Sequence, residues 1–127
     1  MSYPVPGVMA VIRDSEGKVL LRNAFAGAWE LPRAALAGGE CWEDSLRALV
    51  RNTAGAGVGE FHLLGIYSGV GGDGPSLVAV FVVRSLTGPA RLQPEACWQD
   101  STASLAGATE RAVIRDLAEF RGDVFVR

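Results

Sequence analysis

An α/β domain is expected from three features of this 127-residue sequence. Short runs of β-branched and aliphatic residues recur between turn signals, as strands do. Two longer stretches repeat apolar residues at spacings of three and four, as amphipathic helices do. At 49% hydrophobic and 20% charged residues the chain can bury one core, so a single domain over residues 1–127 is expected.

Gly7 to Arg13 (GVMAVIR) is apolar on both sides, and Val19 to Arg22 (VLLR) reads as the next strand. Between them Asp14-Ser15-Glu16-Gly17 is turn chemistry, with Gly17 free to take positive φ, so a β-hairpin is expected. Arg22 ends that strand and points toward a loop over Asn23 to Ala28. Trp29-Glu30-Leu31 is a short extended piece halted by Pro32, which has no N–H to give a ladder. Arg33 to Gly39 (RAALAGG) should be an irregular loop or one marginal helical turn.

The first helix should begin near Cys41 and stop at Gly55, a normal C′ residue. Glu43 and Asp44 fall in its first turn, where negative charge complements the helix dipole. Trp42, Leu46, Leu49, Val50 and Thr53 form its apolar stripe. Ala56 to Gly59 reads as a loop and Glu60 to Ser68 as a strand carrying His62, the one histidine. Without Cys or His neighbours, that residue is read as structural in preference to a ligand or base. Gly69 to Pro75 is a hairpin tip and not a phosphate loop, since it lacks a Lys-Ser/Thr ending and precedes a strand.

Ser76 to Arg84 (SLVAVFVVR) is the most hydrophobic run and should be a central strand buried on both faces. Leu86 to Pro89 breaks it, Ala90 to Gln93 starts another extended stretch, and Glu95-Ala96-Cys97-Trp98 follows as a strand. Asp100 to Gly107 is a loop of small residues. Thr109 can cap a second helix with Ala112, Val113, Leu117 and Phe120 as its stripe and Gly122 as terminator. Asp123 to Arg127 is a short tail.

The run Trp29-Glu30-Leu31-Pro32, then Gly39-Glu40, then a helix closed by Gly55 resembles the Nudix box of the MutT-like superfamily, G-x5-E-x7-R-E-U-x-E-E-x-G-U. Anchored on Pro32, Glu40 and Gly55, the register needs no gap. Glu40, Val50 and Gly55 match. The two glycines after the proline fall on Arg33 and Ala34, the box arginine on Ala48, and the three metal-binding glutamates on Leu49, Asn52 and Thr53. The resemblance implies an α/β/α sandwich with a mixed sheet between helices.

It also implies hydrolysis of a nucleoside diphosphate linked to another moiety. That reaction uses Mg²⁺ or Mn²⁺, hard ions that want several oxygen ligands. In the superfamily three carboxylates stack on one helix face at i, i+3 and i+4; here that face offers Leu49, an amide and a hydroxyl. The remaining carboxylates are Glu40, Glu43 and Asp44, which suit a helix N-terminus, and Glu95, which matches an acid across the cleft in the late E-x-x-W strand. By the same resemblance Arg22 could meet ligand phosphates and Trp98 could stack on a base; Arg33, in a glycine position of the box, could itself supply a phosphate partner.

Net charge is −2, with 12 basic and 14 acidic residues, so no basic field exists to hold nucleic acid. Cys41 and Cys97 stand apart without C-x-x-C or histidine company, consistent with free thiols and no zinc site. No basic n-region and h-region open the chain, and no apolar run reaches the roughly 20 residues of a membrane helix, so a cytoplasmic protein without a membrane partner is expected. The expected function is a Nudix-type domain that binds a small nucleotide-like ligand, or regulates, without metal-dependent hydrolysis. One alternative is an active pyrophosphohydrolase with ligands relocated to Glu40, Glu43, Asp44 or Glu95. The other is a protein-interaction or homodimerising module using the apolar patch around Leu49. No cofactor is expected, and Mg²⁺ or Mn²⁺ only in the hydrolytic alternative.

Overall fold

A computed structural model describes residues 5–23, 28–36, 39–71, 74–100, 105 and 107–127. Strand β1 (Val5–Ile12) is the pivot, and the reason lies in its composition. Val8, Ala10 and Ile12 belong to one buried cluster, Met9 and Val11 to another, and all five have no exposed surface. Successive side chains of a strand point to opposite faces, so a strand apolar on both faces must be covered on both. β1 runs parallel to β7 (Gly74–Val83), pairing Met9 with Val80 and Val11 with Val82. On its other side it runs antiparallel to β4 (Arg33–Ala35). With β6 (Phe61–Gly71) and β10 (Phe125–Val126) these make a mixed five-stranded sheet in the order β10-β6-β7-β1-β4.

Helix α1 (Trp42–Ala54) covers one face: Leu46, Leu49, Val50 and Ala54 pack with Val8, Ala10 and Ile12. Helix α2 (Ala108–Glu119) covers the other, where Val113 packs with Met9, Val11, Leu64 and Tyr67, and Leu117 and Phe120 close the margin. A mixed sheet between two helices is the α/β/α sandwich that the resemblance implies. A second sheet, β3-β2-β9, joins β2 (Val19–Asn23) to β3 (Trp29–Glu30) and β9 (Ala96–Gln99).

Several expectations are corrected. The Asp14–Gly17 turn forms, with the Asp14 Oδ1 accepting from the Glu16 and Lys18 N–H groups and Gly17 at φ 82°. The strands it joins do not make a hairpin ladder: beyond one bridge, Arg13 to Val19, they part into different sheets. β1 is already paired on both edges, by β4 and β7, and has no edge left for β2. Arg33 to Ala35 is a strand, not a loop or helical turn. Gly57–Val58 is a strand (β5) paired with β8 (Leu86–Thr87), where a loop and a chain break were expected.

α2 starts one residue before Thr109, with Gly107 at the N-cap and no side-chain cap. The tail supplies β10, parallel to β6. The expected hairpin tip is mostly strand, β6 running to Gly71 and β7 starting at Gly74. Residues 1–4, 24–27, 37–38, 72–73, 101–104 and 106 lie outside the described residues, which removes most of the expected loops over 23–28 and 100–107 from description.

Candidate functional site

On the α1 side of the sheet a cavity of about 380 Å³ opens between α1, β4, β2 and the segment leading into β9. One face of α1 forms its floor. Ser45, Ala48, Leu49, Asn52 and Thr53 recur at three and four residues and so share that face. Leu49 and Thr53 are 5% and 1% exposed, hence wedged between cavity and core, whereas Ala48 and Asn52 are exposed in the cleft. Arg33 and Ala34 arrive from β4. Arg22 arrives from the end of β2: two residues before it, Leu20 points the same way and is buried in the α1-side cluster, which leaves the arginine at the open margin.

The fourth wall depends on how α1 ends. Gly55 takes φ 69°, the left-handed conformation of a C′ glycine, and its N–H bonds the Arg51 carbonyl. The free carbonyls of Ala54 and Thr53 accept from the Arg91 N–H at 2.6 Å and the Gln93 N–H at 3.2 Å. The chain is thereby held along the helix end, which carries Gln93 and Glu95 to the rim. The Asn23 N–H closes onto the Glu95 carbonyl at 2.8 Å, tying this wall to β2.

Of the residues singled out from the sequence, the fold brings together Arg22, Arg33, Glu40, Glu95, Ala48, Leu49, Asn52 and Thr53 around this one cavity. It leaves three out. Glu43 points away from the cleft and pairs with Arg47 at 2.9 Å, on the side where Arg47 also lies over the Phe61 ring. Asp44 is exposed and does not line the cavity, and Trp98 packs half-buried against the α1-side core. Ser45 and Gln93 were not anticipated. Ser45 has a signal in hindsight, since five residues after Glu40 its hydroxyl donates to the Glu40 carboxylate.

Two arginines, Arg22 and Arg33, and two glutamates, Glu40 and Glu95, line the cavity. Arg22 reaches Glu30 at 3.3 Å through one terminal nitrogen, while its Nε is buried without any hydrogen-bond partner. A buried donor left unpaired costs about 1–3 kcal/mol. Glu40 and Glu95 are the carboxylates lining the cavity; one sits before α1 and is engaged by Ser45, the other lies beyond the helix end. Tested against Mg²⁺, which demands near-octahedral oxygen ligands, this donor set does not fit: the helix face presents an aliphatic side chain, an amide and a buried hydroxyl. Among the described residues no three of His, Cys, Asp and Glu converge.

The whole architecture matches known structures. A MutT Nudix hydrolase from Burkholderia pseudomallei superposes with a TM-score of 0.76 at 18% identity, covering 91% of this chain and 99% of that one. The chain has the Nudix fold. A Nudix hydrolase from Nitrosomonas europaea matches with a TM-score of 0.75 at 20% identity, over 92% of this chain and 90% of that one. The Nudix domain of Shewanella oneidensis NrtR, solved in complex with ADP ribose, matches with a TM-score of 0.75 at 17% identity, over 94% and 89%. No family model matches the sequence, and no curated protein does either. In this Nudix fold the cavity lies on α1, with Leu49, Asn52 and Thr53 among its lining.

Proposed function

We propose that this Nudix-fold chain binds a nucleotide-like ligand through its diphosphate, in the cavity between α1 and β4, without the metal-dependent hydrolysis of the superfamily. The observation that carries this reading is that Arg22 and Arg33 both line the cavity, above a helix face without carboxylates. Two guanidiniums can neutralise a diphosphate by charge-assisted bonds, the task that divalent ions perform elsewhere. That a structural neighbour is described with ADP ribose supports the ligand class.

The test is calorimetry with ADP ribose and nucleoside diphosphates, with and without Mg²⁺ or Mn²⁺, paired with a phosphate-release assay. Saturable binding that needs no metal and yields no release is expected. Arg22→Gln and Arg33→Gln should each weaken it about tenfold or more, since bonds to charged groups contribute roughly 1.5–3 kcal/mol.

Metal-dependent release would overturn the proposal and favour an active pyrophosphohydrolase. Its acids would be Glu40 and Glu95, because both line the cavity whereas Glu43 and Asp44 do not. Absence of any binding would move the weight to an interaction or dimerising module. Leu49 cannot supply that surface, being 5% exposed and packed in its own core; among the described residues the exposed large hydrophobics are Leu77, Val124 and Val126.

A further inference from the structure

A second cavity, of about 350 Å³, lies on the opposite, α2 side of the sheet at the C-terminal ends of β1 and β7. It is built from different chemistry. Arg13 from the end of β1 and Arg84 just past β7 both line it, both are exposed, and among the described residues neither has a carboxylate partner. His62 comes from β6, where it pairs with Val82. Its ring stacks on Phe120 with centroids 4.8 Å apart and planes 16° from parallel, and its Nε2 is buried with no hydrogen-bond partner.

The acid lining the cavity is Asp14, and one of its oxygens is already taken by the Glu16 and Lys18 N–H groups. Val82, Leu117 and Phe120 supply an apolar wall; α2 brings no charge to the cavity. Binding pockets commonly have this division, an apolar body with a few placed polar groups.

We infer that this cavity is a second ligand site, taking a small phosphate monoester whose phosphate lies between Arg13 and Arg84, beside the His62 ring, and whose apolar or aromatic body rests on the Leu117–Phe120 wall. The two unpaired guanidiniums favour a dianion, to which each donates charge-assisted bonds. The volume exceeds what a bare phosphate fills, and the His62–Phe120 stack extends a flat surface beside it. Burial first and Arg84 second hold the His62 imidazole below its ordinary pKa, and a bound dianion would oppose both. This site does not rest on the reading of the first cavity.

His62 is the one histidine of the chain, so its imidazole resonances need no assignment. Phenyl phosphate is titrated into the protein at fixed ionic strength while those resonances are followed, alongside inorganic phosphate. A saturable shift is expected, with the His62 midpoint rising by about one pH unit at saturation, as a neighbouring opposite charge produces. Phenyl phosphate should bind several-fold tighter than inorganic phosphate. Arg13→Gln with Arg84→Gln should abolish the shift, and Arg33→Gln, in the other cavity, should leave it intact. Both lost arginines are exposed, so the fold should be retained, which the remaining amide spectrum reports. No saturable shift, or one that survives the double substitution, overturns the site; equal affinity for the two phosphates overturns the apolar wall.

Discussion

Asp116 has no exposed surface, and keeps its charge because Arg127 donates to both its oxygens, at 3.0 and 2.7 Å, while the Tyr67 hydroxyl donates at 2.8 Å. The Arg127 guanidinium, ahead of the opposing burial, holds the carboxyl below the usual range. Glu110, two turns earlier on α2 and 6% exposed, is shifted the other way: burial pushes its carboxyl up against a hydrogen bond from the Leu31 backbone, Glu30 adds to the rise, and its Oε2 has no partner. Their stability contributions therefore have opposite signs in pH. The Asp116 contribution is in force above the unfolded carboxylate value of about 3.9 and disappears as pH falls through the lower folded value. The Glu110 penalty grows as pH rises from about 4.3 through its raised folded value. Tyr67→Phe should cost about 1.5–3 kcal/mol in urea unfolding at neutral pH, and Arg127→Gln should destabilise in the same direction, with both losses shrinking in acid. Glu110→Gln should instead stabilise at neutral pH, and no gain there would mean that its charged form is better served than its surroundings indicate. Neither acid was legible in the sequence, because each is defined by distant partners: Tyr67 is 49 positions from Asp116. Arg22, Arg33, Glu40 and Glu95 were singled out from the sequence, and the fold gathers all four around one cavity although only Arg33 and Glu40 belong to the box stretch.

The same contrast separates the helices and strands. α1 could be read to within a residue, since its stripe, its first-turn acids and its closing glycine are all local signals. β4 and β10 could not, being three and two residues long and defined only by their partners, β1 and β6. The β1–β2 hairpin failed for a related reason: turn chemistry sets a reversal, but which edge a strand takes depends on whether that edge is already paired. α1 is also the piece whose ending shapes the cavity beside β4. At Gly55 a Cβ would run into the Arg91 carbonyl, and φ is 69°. Gly55→Ala should thus cost more than the roughly 1–2 kcal/mol of left-handed backbone strain, because Arg91 must move as well. Arg91 and Gln93 are bonded to the helix end, so the substitution should also weaken ligand binding at the cavity. A variant with lowered thermal midpoint and unchanged affinity would show that the Glu95 wall stands without the helix cap.

In the molecule as a whole, the groups that hold the fold and the groups that would do chemistry are separable. The sandwich rests on β1 and β7, apolar on both faces and covered by a helix on each, and none of those contacts requires a carboxylate on α1. On α1 itself Leu49 and Thr53 are almost fully buried. Introducing carboxylates on this face as Leu49→Glu, Asn52→Glu and Thr53→Glu would place two of them where the core now packs, a cost of several kcal/mol without a counter-charge. A divalent ion that binds only the folded state would repay part of it in proportion to the logarithm of its concentration. Thermal unfolding should therefore show the triple variant well below the parent without metal and rising with added Mg²⁺, while the parent stays flat. A parent that rises equally would mean that Glu40 and Glu95 already hold the ion, and the metal-free binding reading would fail. A triple variant that Mg²⁺ does not stabilise would mean that the cleft around α1 has lost the shape of a metal site along with its charges, so that binding through Arg22 and Arg33 is built into the backbone path of β4 and not only into three side chains.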